Sequence, residues 1–527
     1  MSEKKFERIW YMCDYARQRV FVRDEFLLWL DKLQSLGYNG IGLYLEGAFE
    51  FATIPGVIRE CVMTKEDAAW AMEEGKKRGM LVFPMTNVVG HMEHFFCQER
   101  FSDLLMDHTN LMQMDFLDPR AEAFAMQIVH EFTAAFPCGL IHIGGDETTL
   151  TEDTKMRYAE FLAKICKNLL DEGIQPAIWD DMLWMDPEMC TCFDRRTFLF
   201  DWNYYGHRPE SIQFFKELGF RDIIVCPCDN SWEGFINYQR TTGHLKARTD
   251  IPIRPDEVEA FFEDARKQDL LGGFLTNWEN TAGRNMWAQW VPIARSGLYM
   301  NGQLSAGSRD DEAIEKALFG HITPYTEITY ALQEEIQRSD IDNDWFQKMR
   351  DVLFQPKLLP SLLEKIRTEN ADFFLSFPPT LDALQEKLDT WVPQGAFEAN
   401  CAAAMAAVLA MIRAATAVAT ALHSYKCYAQ AAKIQFAQPA EAAQILEQII
   451  GAFHRAHSGL CDAKAVFAAA IRPTGHTEND LLRMELTAGA LEKTMDLLRA
   501  YKGTIPRIPL PRFERILGNA ANGNFLF

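Results

Sequence analysis

From its start to about residue 300 the chain alternates two hydrophobic rhythms: short runs crowded with β-branched and aromatic residues, and longer stretches with apolar positions at helical spacing. The runs at 8–16, 40–47, 81–88, 140–147, 176–183, 197–204, 222–229 and 271–279 read as strands, and stretches such as 24–36 and 64–78 as helices between them. Such alternation implies a parallel sheet with crossover helices. Eight strands in about 300 residues fit a closed α/β barrel, the (β/α)8 or TIM barrel, better than an open sheet. After Gly302 the strand rhythm stops, and helical patterns follow at 310–319, 344–354, 359–369, 396–426, 439–456 and 479–501. Residues 1–305 are therefore expected to form the barrel and residues 306–527 an all-α C-terminal domain.

Length agrees, since 527 residues exceed what one core ordinarily organises. The apolar run 402–412 is cut by Arg413, short of the roughly twenty residues a membrane span needs, so no membrane association is expected. A net charge of −21 repels polyphosphates and excludes nucleic acid as an expected partner. The N-terminus, MSEKKFERIW, reaches a strand-like segment without the apolar core of a secretion signal, which points to the cytoplasm. Twelve dispersed cysteines read as reduced, buried thiols, and Cys190-Thr191-Cys192 and Cys226-Pro227-Cys228 lack the spacing of zinc or redox sites. His91, His94 and His142 lack the carboxylate motif of a metal site, so neither metal nor cofactor is expected.

In such a barrel the chemistry gathers where strands end at the C-terminal face. Those ends carry Asp14 and Arg17, then Glu46, then Asn87 and His91, then Asp146 and Glu147. The remaining four carry Trp179, Asp180 and Asp181, then Asp201, Trp202 and Asn203, then Asp229, Asn230 and Trp232, and finally Trp278, Glu279 and Asn280. Carboxyls among tryptophans suit a pyranose, whose C–H faces stack on indole while its hydroxyls need acceptors and donors. Core packing explains any one tryptophan equally well, but less readily four at strand ends. The sharpest feature is Asp146-Glu147 after LIHIGG. Adjacent strand residues face opposite ways, so one acid can be raised in pKa as a proton donor while its neighbour stays ionised. The residues alone thus indicate a carbohydrate-active pair.

IHIGGDE resembles the signature of glycoside hydrolase family 20, the β-N-acetylhexosaminidases, which end their fourth barrel strand in Asp-Glu. DYAR is similar to the family's first-strand motif, which implies that Arg17 holds sugar hydroxyls. FPMTNVVGHMEHF resembles its third-strand Pro-Gly-His motif, with Val89-Gly90 where the family has proline, and implies that His91 joins a relay between a second-strand acid, here Glu46, and Glu147. Trp179, Trp202 and Trp278 match the indoles around the N-acetyl pocket, and Glu279 the acceptor of a distal hydroxyl. The resemblance covers about residues 8–300 and leaves the helical domain outside. A barrel with no preceding α/β domain looks like the bacterial N-acetylglucosaminidase subgroup.

The resemblance implies exo-acting, retaining hydrolysis of terminal β-linked GlcNAc or GalNAc from an amino-sugar oligosaccharide or glycoconjugate. The substrate's own acetamido oxygen acts as nucleophile and forms an oxazolinium ring, Glu147 serves as acid and base, and Asp146 as the charged partner of the ring. The family's tyrosine donor to the acetamido oxygen has no clear match: Trp232 stands near its place, with Tyr204, Tyr205 and Tyr238 nearby in sequence. Two other readings stay open, a barrel glycosidase for another 2-amino or sulfated hexose and a sugar-binding protein on a retired barrel. For the helical domain three roles are open: packing under the barrel, forming a homodimer interface, or closing the active-site mouth.

Overall fold

A computed structural model describes residues 5–17, 19–54, 63–204, 209–229, 257–279, 282–305, 310–339, 344–368, 373–430, 438–474 and 478–504. Among these the chain forms ten strands: β1 (Arg8–Asp14), β2 (Gly40–Tyr44), β3 (Leu81–Met85), β4 (Leu105–Asp107), β5 (Asn110–Met114), β6 (Leu140–His142), β7 (Gln175–Trp179), β8 (Phe198–Trp202), β9 (Ile223–Cys226) and β10 (Gly272–Leu275). Eight of them close a parallel barrel in the order β1-β2-β3-β6-β7-β8-β9-β10, and β10 returns to β1 with Arg8 opposite Gly272 and Tyr11 opposite Leu275. The expected (β/α)8 barrel is present.

Alternation of period two fills its interior. Trp10 and Met12, Phe83 and Met85, Phe198 and Phe200, and Ile224 and Cys226 belong to one buried cluster, and burying each aromatic ring contributes roughly 1.5–3 kcal/mol. β2 answers these large groups with small ones. A Cβ added at Gly40 would lie 2.3 Å from the Trp10 ring, and one at Gly42 2.6 Å from Met85 Sδ. Crossover helices begin on legible signals: Thr64 and Asp67 form a capping box ahead of the helix Lys65–Lys77.

Strand ends depart from expectation where it matters. The run 140–147 leaves the ladder at His142, and 176–183 leaves it at Trp179, before the short helix Asp181–Met185. Asp146 and Glu147 therefore stand on a turn, where side chains do not alternate as they do along a strand. The antiparallel hairpin β4–β5, between the third and fourth barrel strands, was not expected.

By its contacts the chain divides into two units, Met1–Ser231 with Asp250–Asn280 and Val291–Leu318, and Trp232–Thr249 with Thr281–Trp290 and Phe319–Phe527. Among the described residues, a single cut at 305/306 differs from this division in two places, 282–290 and 310–318. Lys32 donates to the carbonyls of Ala317, at 3.4 Å, and Leu318, which ties the end of the helix Asp311–Phe319 to the barrel unit. The Gly283 amide donates to Asp480 at 2.6 Å, and Trp287 and Trp290 pack on Phe397, all within the second unit.

Among its described residues that second unit forms helices and no strand, with Gly395–Gln430 its longest helix. Arg413 does not interrupt this helix. Its stretch Gly395–Lys426, whose most apolar 18-residue window has a mean hydropathy of 1.9, is long and apolar enough to cross a membrane, which corrects the expectation of a short apolar run. Of its apolar window 67% is buried inside the protein, as in a core helix, and alanines such as Ala404 and Ala407 admit close neighbours.

Candidate active site

The turn after β6 cannot be built with side chains at its first positions. Gly144 (φ +76) and Gly145 (φ +95) are left-handed, and a Cβ on Gly144 would fall 1.9 Å from Asn87 Oδ1. His142, fully buried, accepts the Gly144 amide on Nδ1 at 3.2 Å, and Tyr158 donates to the Gly145 carbonyl. Burial pushes the His142 imidazole down to about 3, so it stays neutral. Glu147 is itself left-handed at φ +48, as are Glu46 (φ +42) and His91 (φ +49). Only Asp269 shares this among the described non-glycine residues, so three of four such conformations fall at the ends of β2, β3 and β6. Each costs of order 1–3 kcal/mol and persists only where its surroundings enforce it.

The unexpected hairpin enforces part of it. Met112 and Met114 of β5 bond the backbone of Met92 and Val89, bracketing His91, while Gln113 exchanges hydrogen bonds with the Thr149 amide (2.8 Å) and carbonyl (3.1 Å) beyond Glu147. The two loops then meet closely. A Cβ on Gly90 would lie 2.8 Å from the Asp146 carbonyl oxygen, which accounts for glycine before His91.

His91 Nε2 lies 3.2 Å from Glu147 Oε2 and 3.5 Å from Asp146 Oδ2, and its Nδ1 lies 3.8 Å from Glu93. Burial alone would lower the imidazole; the charges of Asp146, Glu147 and Glu93 outweigh it and push the group up to about 11. Asp146, with 10% of its side chain exposed, is held above the ordinary carboxyl range by burial, which the His91 charge only partly offsets. Glu147, 56% exposed, is held below it by the hydrogen bond from His91. The residue of raised proton affinity is thus Asp146, the reverse of the order its expected role required. His91, Asp146 and Glu147 each offer a ligand atom within 4.8 Å of the others.

Beside this triad lies a second group. Arg17 pairs with Asp14 at 3.0 Å, stands 3.8 Å from Glu46, and lies over the rings of Tyr44 and Trp278, 5.1 Å from each centroid. Tyr44 donates to Glu46, whose other oxygen is 2.6 Å from His94 Nδ1. Burial raises the Glu46 carboxyl, but His94 and Arg17 prevail and hold it ionised. Trp278 meets Trp179 with centroids 6.0 Å apart, and its Nε1 donates to the Tyr204 hydroxyl at 2.9 Å, which in turn sets Tyr204 against Trp202. Asn87 links the two groups, donating to the Tyr44 hydroxyl at 2.6 Å beside the Gly144 turn.

Of the expected site residues, Asp146, Glu147 and His91 come together, as do Arg17, Glu46, Trp179, Trp202 and Trp278. Glu46 does not join His91 in a relay; His94 takes that place. Glu279 has no exposed surface and lies 3.8 Å from the buried Arg19 guanidinium, away from the role of hydroxyl acceptor. Trp232, with Asn230, Tyr205 and Tyr238, lies outside the described residues. Sequence reasoning passed over Tyr44, though it ends an apolar strand whose inward positions are otherwise glycine. It also left Asp180 and Asp181 without a role.

No family model matches the chain, and no curated protein matches it. Among solved structures it is similar to a glycoside hydrolase family 20 β-N-acetylglucosaminidase, with 16% identity over 59% of this chain and 72% of that one and a TM-score of 0.43. It is also similar to the β-N-acetylhexosaminidase of Bacteroides fragilis, with 17% identity over 59% and 69% and a TM-score of 0.47. The family 20 β-N-acetylhexosaminidase of Streptomyces coelicolor gives 15% identity over 63% and 68%, with a TM-score of 0.45. The barrel assignment rests on the strand register, and the chemistry on the residues above.

Proposed function

We propose that the chain is an exo-acting, retaining β-N-acetylhexosaminidase that releases terminal β-linked GlcNAc or GalNAc from an amino-sugar oligosaccharide or glycoconjugate. The observation that carries this reading is Asp146-Glu147 on a left-handed turn, 3.5 and 3.2 Å from the His91 ring, next to Arg17 seated between aromatic rings. The acetamido oxygen of the substrate attacks its own anomeric carbon. Glu147 gives a proton to the departing oxygen and later takes one from water, while Asp146 accepts the acetamido N–H and stabilises the cationic ring. Trp179 and Trp278 pack the acetyl group and exclude water. Sugar entry reverses the proton affinities of the free protein: covering half-exposed Glu147 raises it, and a donated N–H with a cationic ring lowers Asp146.

The raised Asp146 favours one second reading, in which Asp146 is the proton donor. Leaving groups that need no protonation separate the two. Glu147→Gln is expected to lose at least about 10²-fold in kcat/KM on an alkyl β-N-acetylglucosaminide and little in kcat/KM on the dinitrophenyl one, whereas Asp146→Asn loses on both. Unchanged turnover of the alkyl substrate by Glu147→Gln would refute its role, and selective loss in Asp146→Asn would favour the second reading.

A further inference from the structure

We infer that Asp181 is a positioning residue that holds Glu147 in its working conformation, acting from β7 through the Glu147 backbone; this rests on the function proposed above. β7 lies between β6 and β8 in the barrel. At its end the ladder runs out: the Trp179 amide still reaches the Gly144 carbonyl at 3.1 Å, and the Asp180 amide the Phe200 carbonyl at 3.2 Å. Beyond that, side-chain carboxylates continue the pattern on both flanks. Asp181 Oδ2 accepts the Glu147 amide at 3.0 Å, and Asp180 Oδ1 accepts the Trp202 amide at 2.9 Å. Trp179-Asp180-Asp181 thus supplies one aromatic wall and fixes the strand ends that carry the other wall and the proposed acid.

Two features say that this is more than a turn decoration. Asp180 and Asp181 are both buried, where adjacent carboxyls cost free energy unless hydrogen bonds repay them. Glu147 is left-handed, a conformation its own side chain disfavours, and its amide has Asp181 as acceptor. Burial, with the charge of Asp146, raises the Asp181 carboxyl above the ordinary range, while the Glu147 amide and the Trp202 side chain draw it partway back.

Asparagine at 181 keeps a carbonyl oxygen for the Glu147 amide, whereas leucine has the same branching without an acceptor. On a chromogenic β-N-acetylglucosaminide, Asp181→Leu is expected to lower kcat about 10²-fold with KM within about threefold, since misplacing a catalytic group by about 1 Å has that effect. Asp181→Asn is expected to return to within about tenfold of wild type. Wild-type kcat in Asp181→Leu, or Asp181→Asn no better than Asp181→Leu, overturns the positioning role. If Asp181→Leu lacks the wild-type circular dichroism, Asp181→Ala replaces it under the same criteria. A wild-type chain that turns over no β-N-acetylglucosaminide overturns the proposed function and this role with it; an active wild type matched by its leucine variant overturns the role alone.

Discussion

Burial raises the proton affinity of Asp146, whereas the proposed chemistry needs it as an anion. A carboxyl whose folded pKa lies above its unfolded value lowers stability wherever it is ionised in the native state, and the penalty disappears as pH falls below the unfolded value near 4. Asp146→Asn is therefore expected to stabilise the protein at pH 7 in urea unfolding, with the gain shrinking toward pH 4, while activity is lost. A variant less stable than wild type at pH 7 would contradict this placement of the charge. The two acids were legible in sequence because they follow an apolar run and two glycines. Which of the two is raised was not, because that comes from His91 and from burial on a turn, which spacing along one strand does not encode. Likewise His94 at Glu46 and Arg19 at Glu279 depend on how separate loops fold back, and neither pairing leaves a periodic trace.

At the scale of elements, the turn after β6 is held from three sides, by Asn87 of the β3 loop, Tyr158 of the following helix and Gln113 of the hairpin. Gly144→Ala meets both a positive φ and the Asn87 side chain, so it is expected to cost at least about 2 kcal/mol and to lower kcat, measured by urea unfolding and turnover. A change within about 0.5 kcal/mol would mean that the turn is not under this constraint. Barrel strands were legible from β-branched and aromatic runs that repeat after each amphipathic helix. The hairpin was not. β4 has three residues, and β5, Asn110–Met114, has neither clean alternation nor an apolar core, since it contributes backbone hydrogen bonds to the loop after β3 and the Gln113 side chain to the loop after β6.

Across the whole molecule, the change from strand to helix rhythm near residue 300 was visible in composition, while the assignment of 281–290 to the helical unit was not. That assignment rests on contacts such as Gly283 with Asp480, between positions far apart in sequence. The long helix was legible as 396–426, but its span-like apolar character was hidden by reading Arg413 as the end of the apolar run, although one arginine at a helix surface ends nothing. The intact chain offers the most direct measurement: turnover of a chromogenic β-N-acetylglucosaminide beside the matching β-glucoside and β-glucosaminide. A nucleophile supplied by the acetamido group requires that group. Hydrolysis of the first is expected, with the other two slower by on the order of 10³-fold or more; turnover of the plain glucoside at a comparable rate would contradict the substrate-assisted mechanism.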